Sequence, residues 1–168
     1  MSPLLCLFLV YLLGGACLPA SAQEGGEGKE RRLDGAVYRR PLGNDPETLD
    51  PARISDIYSR SVSQQIFDGL VQFDQTLTIT PALAQFWKAS RDGLTWTFTL
   101  RKGVKFHHGR EVIAEDVIYS FTRIVDPRTK SGAADLFLSI KGAQEFRDGK
   151  AKQIYGLVAL DQQTVQVT

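Results

Sequence analysis

The stretch Asp92-Gly93-Leu94-Thr95-Trp96-Thr97-Phe98-Thr99-Leu100-Arg101-Lys102-Gly103-Val104-Lys105-Phe106-His107-His108-Gly109 decides the fold. Trp96, Phe98 and Leu100 alternate with Thr95, Thr97 and Thr99. Side chains leave a strand on alternate faces, so this pattern predicts one apolar face and one hydroxyl face. Arg91-Asp92-Gly93 and Lys102-Gly103 are turn sequences at the two ends. Val104 and Phe106 extend the chain again. A helix is expected from Ala114 to Ile124, with Val117, Phe121 and Ile124 as its buried stripe. Asp126-Pro127 ends it, because a residue before proline disfavours helical backbone. The expected unit is a sheet edge with a helix laid across it.

The preceding sequence supplies shorter elements. Residues 57–68 read as a helix, since Val62, Ile66 and Leu70 recur every four positions. Gly69 falls where a left-handed C-terminal cap would sit. Val71 and Phe73 begin an extended piece. Residues 81–87 read as a short helix with Pro81 in its first turn, where a missing N–H is harmless. Asn44-Asp45-Pro46 and Asp50-Pro51 are turns, and residues 36–40 read as a short strand. Beyond the central unit, residues 136–146 read as helix interrupted near Gly142. Residues 157–160 and 164–168 read as two strands joined at Asp161-Gln162-Gln163. The elements alternate, which predicts a mixed α/β domain. The chain stops inside the last of these strands, which leads us to expect a fragment.

The first residues form an export signal. Leu4 to Leu13 is an apolar run of about ten residues, well short of the roughly 20 that span a bilayer. Ala20-Ser21-Ala22 is a small-x-small cleavage site, with the cut expected between Ala22 and Gln23. Residues 1–22 are therefore a signal peptide and 23–36, rich in Gly and charge, a flexible linker. Residues 37–168 would then form the globular portion of the chain. Both cysteines, Cys6 and Cys17, lie inside the signal, so cleavage leaves no disulfide or thiol chemistry. Leu13-Gly14-Gly15-Ala16-Cys17 opens a second route, a lipoprotein box with Cys17 as the lipidated residue.

The whole chain has 168 residues, formal net charge +1, 43% hydrophobic and 23% charged residues. That is the composition of a globular protein. The balanced charge argues against nucleic acid or an anionic membrane surface as main partner.

Candidate chemistry is sparse. His107 and His108 are adjacent, so an extended chain points them to opposite faces, and no metal-ligand spacing surrounds them. Glu115 and Asp116 fall in a first helical turn, where the helix dipole stabilises negative charge by about 0.3–1 kcal/mol. They and Glu111 are read as structural groups and not as acid–base catalysts. No Gly-x-Ser-x-Gly elbow surrounds Ser55, Ser59, Ser61 or Ser63. Trp87, Trp96 and Phe98 are either core or a stacking platform, and core is the commoner role at such spacing. We expect no enzyme, no cofactor and no metal.

Taken together, Asp92 to His107, Gly109, Ala114-Glu115-Asp116-Val117 and Ser120-Phe121 resemble the signature stretch of family 5 extracellular solute-binding proteins. Three further stretches are similar in order and spacing: Glu47-Thr48-Leu49-Asp50-Pro51; Ile66-Phe67-Asp68-Gly69-Leu70-Val71 with Pro81-Ala82-Leu83-Ala84 and Trp87; and Ile140-Lys141-Gly142-Ala143, Gly149-Lys150-Ala151, Gly156 to Asp161 and Thr164-Val165. His108 departs from the family's Asp or Asn, and Ile113 from its capping Thr or Asn. The resemblance implies an α/β chain whose residues 37–168 are the N-terminal portion of the solute-binding domain, the first strand of one lobe plus its small subdomain, in a two-lobed periplasmic-binding-protein-like fold (type II, peptide-binding class) whose second lobe is absent here. It implies a monomeric periplasmic receptor that passes a peptide to an inner-membrane ABC permease. Nickel chelate, haem or signalling peptide are ligand alternatives within that fold, and an exported enzyme is an alternative of another class. By the same resemblance the loop after Leu49-Asp50-Pro51 faces the ligand cleft. That makes Ser55, Asp56 and Ile57 the candidate ligand contacts, with Asp56 suited to a ligand amino group.

Overall fold

A computed structural model describes residues 39–168. The signal peptide, cleavage site and linker expected within 1–36, Cys17, and most of the strand expected at 36–40 lie outside the described residues. Arg39 and Arg40 belong to no regular element.

The first described element is a short helix, α1 (Ile57–Ser63). A small antiparallel hairpin follows, β1 (Val71–Phe73) with β2 (Ile79–Pro81). Then comes β3 (Ala84–Ala89), then β4 (Trp96–Leu100), and the main helix α2 (Ala114–Val125). After a 3-10 turn at Ala134–Phe137 and a short helix α3 (Ala143–Arg147), the hairpin β5 (Leu157–Asp161) and β6 (Thr164–Val167) closes the described fold. The main sheet is antiparallel throughout, in the order β3-β4-β6-β5.

The alternation expected of β4 is present. Phe98 and Leu100 are buried, at 2% and 0% exposure. They face inward with Val165 of β6, which pairs with Phe98. Helix α2 lies on this face. Ala114 and Val117 pack with Leu100 and Val165, and Ile118 and Phe121 join them. Lower on the helix, Val125 packs with Ile140, Ala143, Ile154 and Leu157. The buried stripe thus runs through positions 114, 117, 118, 121 and 125. Ile124, expected in it, is half-buried and outside both clusters. Spacings of three and four keep a stripe on one side of a 3.6-residue helix, and Val125 fits that advance better than Ile124.

Three expectations fail. The segment 81–87 is not a helix: Ala84–Ala89 is β3, paired with β4 along Trp87↔Phe98 and Ala89↔Trp96. Its apolar residues carry no helical stripe, and pairing completes the backbone hydrogen bonds that β4 would otherwise leave open. In consequence β4 is an interior strand and not a sheet edge. The helix expected at 57–68 also stops early, at Ser63. The N–H groups of Ile66 and Phe67 both bond the Ser63 carbonyl, so the coil tightens into a turn. Ile66 is exposed, and Gly69 is not left-handed.

The α2 start shows its departure from a good cap. Ile113 is the N-cap and its side chain can accept no hydrogen bond. The reciprocal half is present: the Ile113 N–H donates to Asp116 Oδ2 at 2.9 Å. The Ala114 N–H is satisfied by the Gln162 carbonyl at 2.8 Å, tying the β5–β6 turn to the helix. At Gly142 the backbone is left-handed, φ +85°, and a Cβ there would fall 2.3 Å from the Tyr155 ring.

Two stability predictions follow from these termini. Ile113→Thr supplies the missing cap, worth typically ~1 kcal/mol, and raises the melting temperature by a few degrees in a thermal unfolding curve; an unchanged or lower value counts against it. Gly142→Ala meets both a strained φ and the Tyr155 ring. It destabilises by more than about 1 kcal/mol in urea unfolding, and a neutral result would mean that Tyr155 is free to move aside.

Candidate functional site

The residues expected to meet ligand occupy the entry to α1. Asp56 is the N-cap of this helix. Its Oδ1 accepts from the N–H groups of Tyr58 at 2.9 Å and Ser59 at 2.8 Å. Ser59, through its side chain first and then its backbone, holds the Asp56 carboxyl below the usual carboxylate range. The second oxygen, Oδ2, is shielded from solvent and meets no donor at hydrogen-bonding geometry. Asp56 thus already serves the helix as its cap, which alone explains an Asp at this position. The flanking residues are open: Ser55 is exposed, and Ile57 is 61% exposed.

The turn before this helix is built around Asp50. Its N–H donates to Thr48 Oγ1 at 3.1 Å, and its Oδ1 accepts from the Ala52 N–H at 3.1 Å. Its carbonyl accepts from the Arg53 N–H at 2.9 Å. The Thr48 N–H in turn reaches Ser59 Oγ in α1 at 3.3 Å. From the other side, Arg123 of α2 grips the Asp50 carboxylate with two prongs. Nη1 lies 2.8 Å from Oδ1, and Nη2 bonds Oδ2. This pair lowers the Asp50 pKa and raises that of Arg123. The sequence suggested turn chemistry at Asp50 but not this partner. No periodic pattern links residues 73 positions apart.

Other residues weighed in the sequence make local contacts. His108 sits in a turn, where its Nδ1 accepts the Arg110 N–H at 3.2 Å and its ring lies 5.5 Å from that of Phe106. The bond to the residue two positions on is the one an Asp or Asn would make there. Glu111 accepts the Gly103 N–H at 2.7 Å. Asp116, besides holding Ile113, takes a two-pronged bond from Arg110 at 2.7 and 3.0 Å. Phe98 is core, and Trp87 and Trp96 are half-buried beside it in the sheet register. Among the described residues no group of three or more His, Cys, Asp and Glu could hold a metal ion.

Residues 78–168 match the family described as bacterial extracellular solute-binding proteins, family 5 middle. The chain belongs to this family. Among its family 5 relatives is the periplasmic murein peptide-binding protein MppA of Escherichia coli, 37% identical over 131 residues. That alignment covers 76% of this chain and 24% of the relative. The solved structure of the Escherichia coli murein tripeptide binding protein matches with TM-score 0.69 and 38% identity, over 74% of this chain and 25% of that one. The Haemophilus influenzae OppA complex with RPPGFSPFR matches with TM-score 0.71 and 34% identity, over 75% and 25%. The chain thus spans about a quarter of the length of these family 5 proteins. Over that quarter it shares their α/β fold.

The paired carboxylates give a pH signature. Hydrogen bonding from Arg110 holds the Asp116 carboxyl below its ordinary range, as Arg123 does for Asp50. A carboxyl whose pKa falls on folding contributes stability above its unfolded pKa and loses it as pH falls through the folded value. Asp116→Asn therefore lowers the melting temperature at neutral pH. The gap to the unaltered chain narrows as pH drops below about 4. Thermal scans across that range check this, and a gap constant with pH would show that the charge is not what matters.

Proposed function

We propose that this chain is part of an extracytoplasmic receptor that binds peptides and hands them to an inner-membrane ABC importer. The observation that carries the reading is the match, at 34% identity and TM-score 0.71, to a binding protein solved with a bound peptide. Composition is compatible with it, since a net charge of +1 supplies no basic excess for nucleic acid. The receptor performs no reaction and acts as a monomer in the periplasm. Export by the signal at 1–22 would place it there, with cleavage after Ala22 or lipidation at Cys17.

Within that reading the ligand contacts are Ser55 and Ile57, which are exposed, with Asp56 fixing their direction as the helix cap. Capping occupies Oδ1, and Oδ2 is shielded from solvent without a hydrogen-bond partner. The exposed apolar side chains Leu49, Ile57, Ile66 and Phe67 lie on the same part of the chain. A receptor of the relatives' length has the further sequence to cover some of them.

Thermal-shift measurement on the complete gene product separates the possibilities. A peptide pool at about 100 times its dissociation constant stabilises a binder by roughly 2.7 kcal/mol, a rise of several degrees. We expect this rise with peptides. A rise with nickel chelate or haem alone would replace the peptide assignment, and no rise with any ligand would remove the receptor reading.

A further inference from the structure

We propose that Arg123 is a positioning residue for the ligand-facing loop: its two-pronged grip on Asp50 sets the direction in which residues 55–57 leave the turn. The proposal rests on the receptor reading above and adds a residue that lies on a different element from the proposed contacts.

Three observations support it. No residue from 39 to 69 belongs to either hydrophobic cluster, so packing in those cores does not hold this loop. The pairs Arg110–Asp116, Arg128–Asp126, Arg147–Asp135 and Lys150–Asp148 join positions 6, 2, 12 and 2 apart. The Arg123–Asp50 pair joins positions 73 apart, and so ties the loop to the core helix. Finally, Asp50 is a node. Its backbone and side chain organise Thr48, Ala52 and Arg53, and Thr48 reaches Ser59 at the start of α1. The same Ser59 donates its N–H to Asp56. A shift at Asp50 is thereby felt at the cap that aims Ser55 and Ile57.

Arginine suits this role because its planar fork fixes both distance and orientation of a carboxylate, whereas a lysine ammonium fixes only distance. The anchor itself is steady: Phe121 and Val125, two positions either side of Arg123, pack in the core. The pair is partly open, with side-chain exposures of 37% and 24%. A pair so solvated adds little to global stability, so its main effect is geometric.

The test uses the complete gene product and defined tri-, tetra- and pentapeptides, titrated calorimetrically well below the melting temperature. Hydrogen exchange at the Tyr58 and Ser59 amides is followed in parallel. We expect Arg123→Gln to weaken the best peptide about tenfold, the equivalent of 1.4 kcal/mol, and to speed exchange at both amides. Arg123→Lys should recover part of the affinity, and the melting temperature should move little. Asp50→Asn cuts the same clamp from the other side. It should reproduce the loss, which keeps the proposal testable if Arg123→Gln folds poorly. Unaltered affinity and exchange in a folded Arg123→Gln or Asp50→Asn variant would overturn the positioning role alone. Failure of the unaltered protein to bind any of the peptides would overturn the peptide assignment, and the positioning role with it.

Discussion

The described structure depends on one contact surface: the buried stripe of α2 against the inner face of β4 and β6. Leu100, Ala114, Val117 and Val165 are each nearly or wholly removed from solvent there. Burying a Leu- or Val-sized side chain stabilises by roughly 1.5–3 kcal/mol, so this small set outweighs the half-exposed ion pairs around it. Everything else is arranged about that surface. The β5–β6 turn presents the Gln162 and Gln163 carbonyls to the N–H groups of Ala114 and Leu100. The chain between α2 and β5 folds back so that Ile140, Ala143 and Ile154 extend the same core past Val125.

Elements with a strict period and a buried face were legible in the sequence. Strand β4 alternates through five residues, and α2 keeps one apolar side over three turns. The β5–β6 hairpin announces itself through the polar residues between two apolar runs. Where burial is partial, the pattern misled. In β3 the outward Phe86 is 55% exposed while Ala84 is fully buried, so hydrophobicity does not mark the inward side. A bulge at Gln85 further shifts the register against β4. Pro81 ends a strand instead of starting a helix. In α1 the spacing of Val62, Ile66 and Leu70 mimicked an apolar stripe. Ile66 is in fact exposed, and Leu70 packs against the α2–sheet core well beyond the helix end.

The polar network divides along the same line. Bonds between near neighbours, such as Asp56 to Tyr58 and Ser59 or Asp161 to Gln163 and Thr164, follow from local turn and cap chemistry. A reader of sequence can place them. The grip of Arg123 on Asp50 depends on how α2 is laid across the sheet, and that orientation is a product of the core. Sequence showed the candidate loop and not what holds it.

The manner of holding bears on function. On the proposed reading, a loop that presents Ser55 and Ile57 to a ligand cannot be fixed by burying them, since burial would remove the surface it offers. Ile57 at 61% exposure carries that cost openly, because an exposed apolar side chain of this size gains nothing in an isolated fold. A charged fork to a turn several residues upstream avoids the conflict. It fixes orientation through directional bonds and leaves the apolar side chain free. It also transmits the placement of the core helix to the loop. The same physical separation, apolar contacts for the scaffold and polar contacts for the presenting segment, explains why α1 and its loop stand outside both hydrophobic clusters and are nevertheless ordered by seven named hydrogen bonds among Thr48, Asp50, Ala52, Asp56, Tyr58, Ser59 and Arg123.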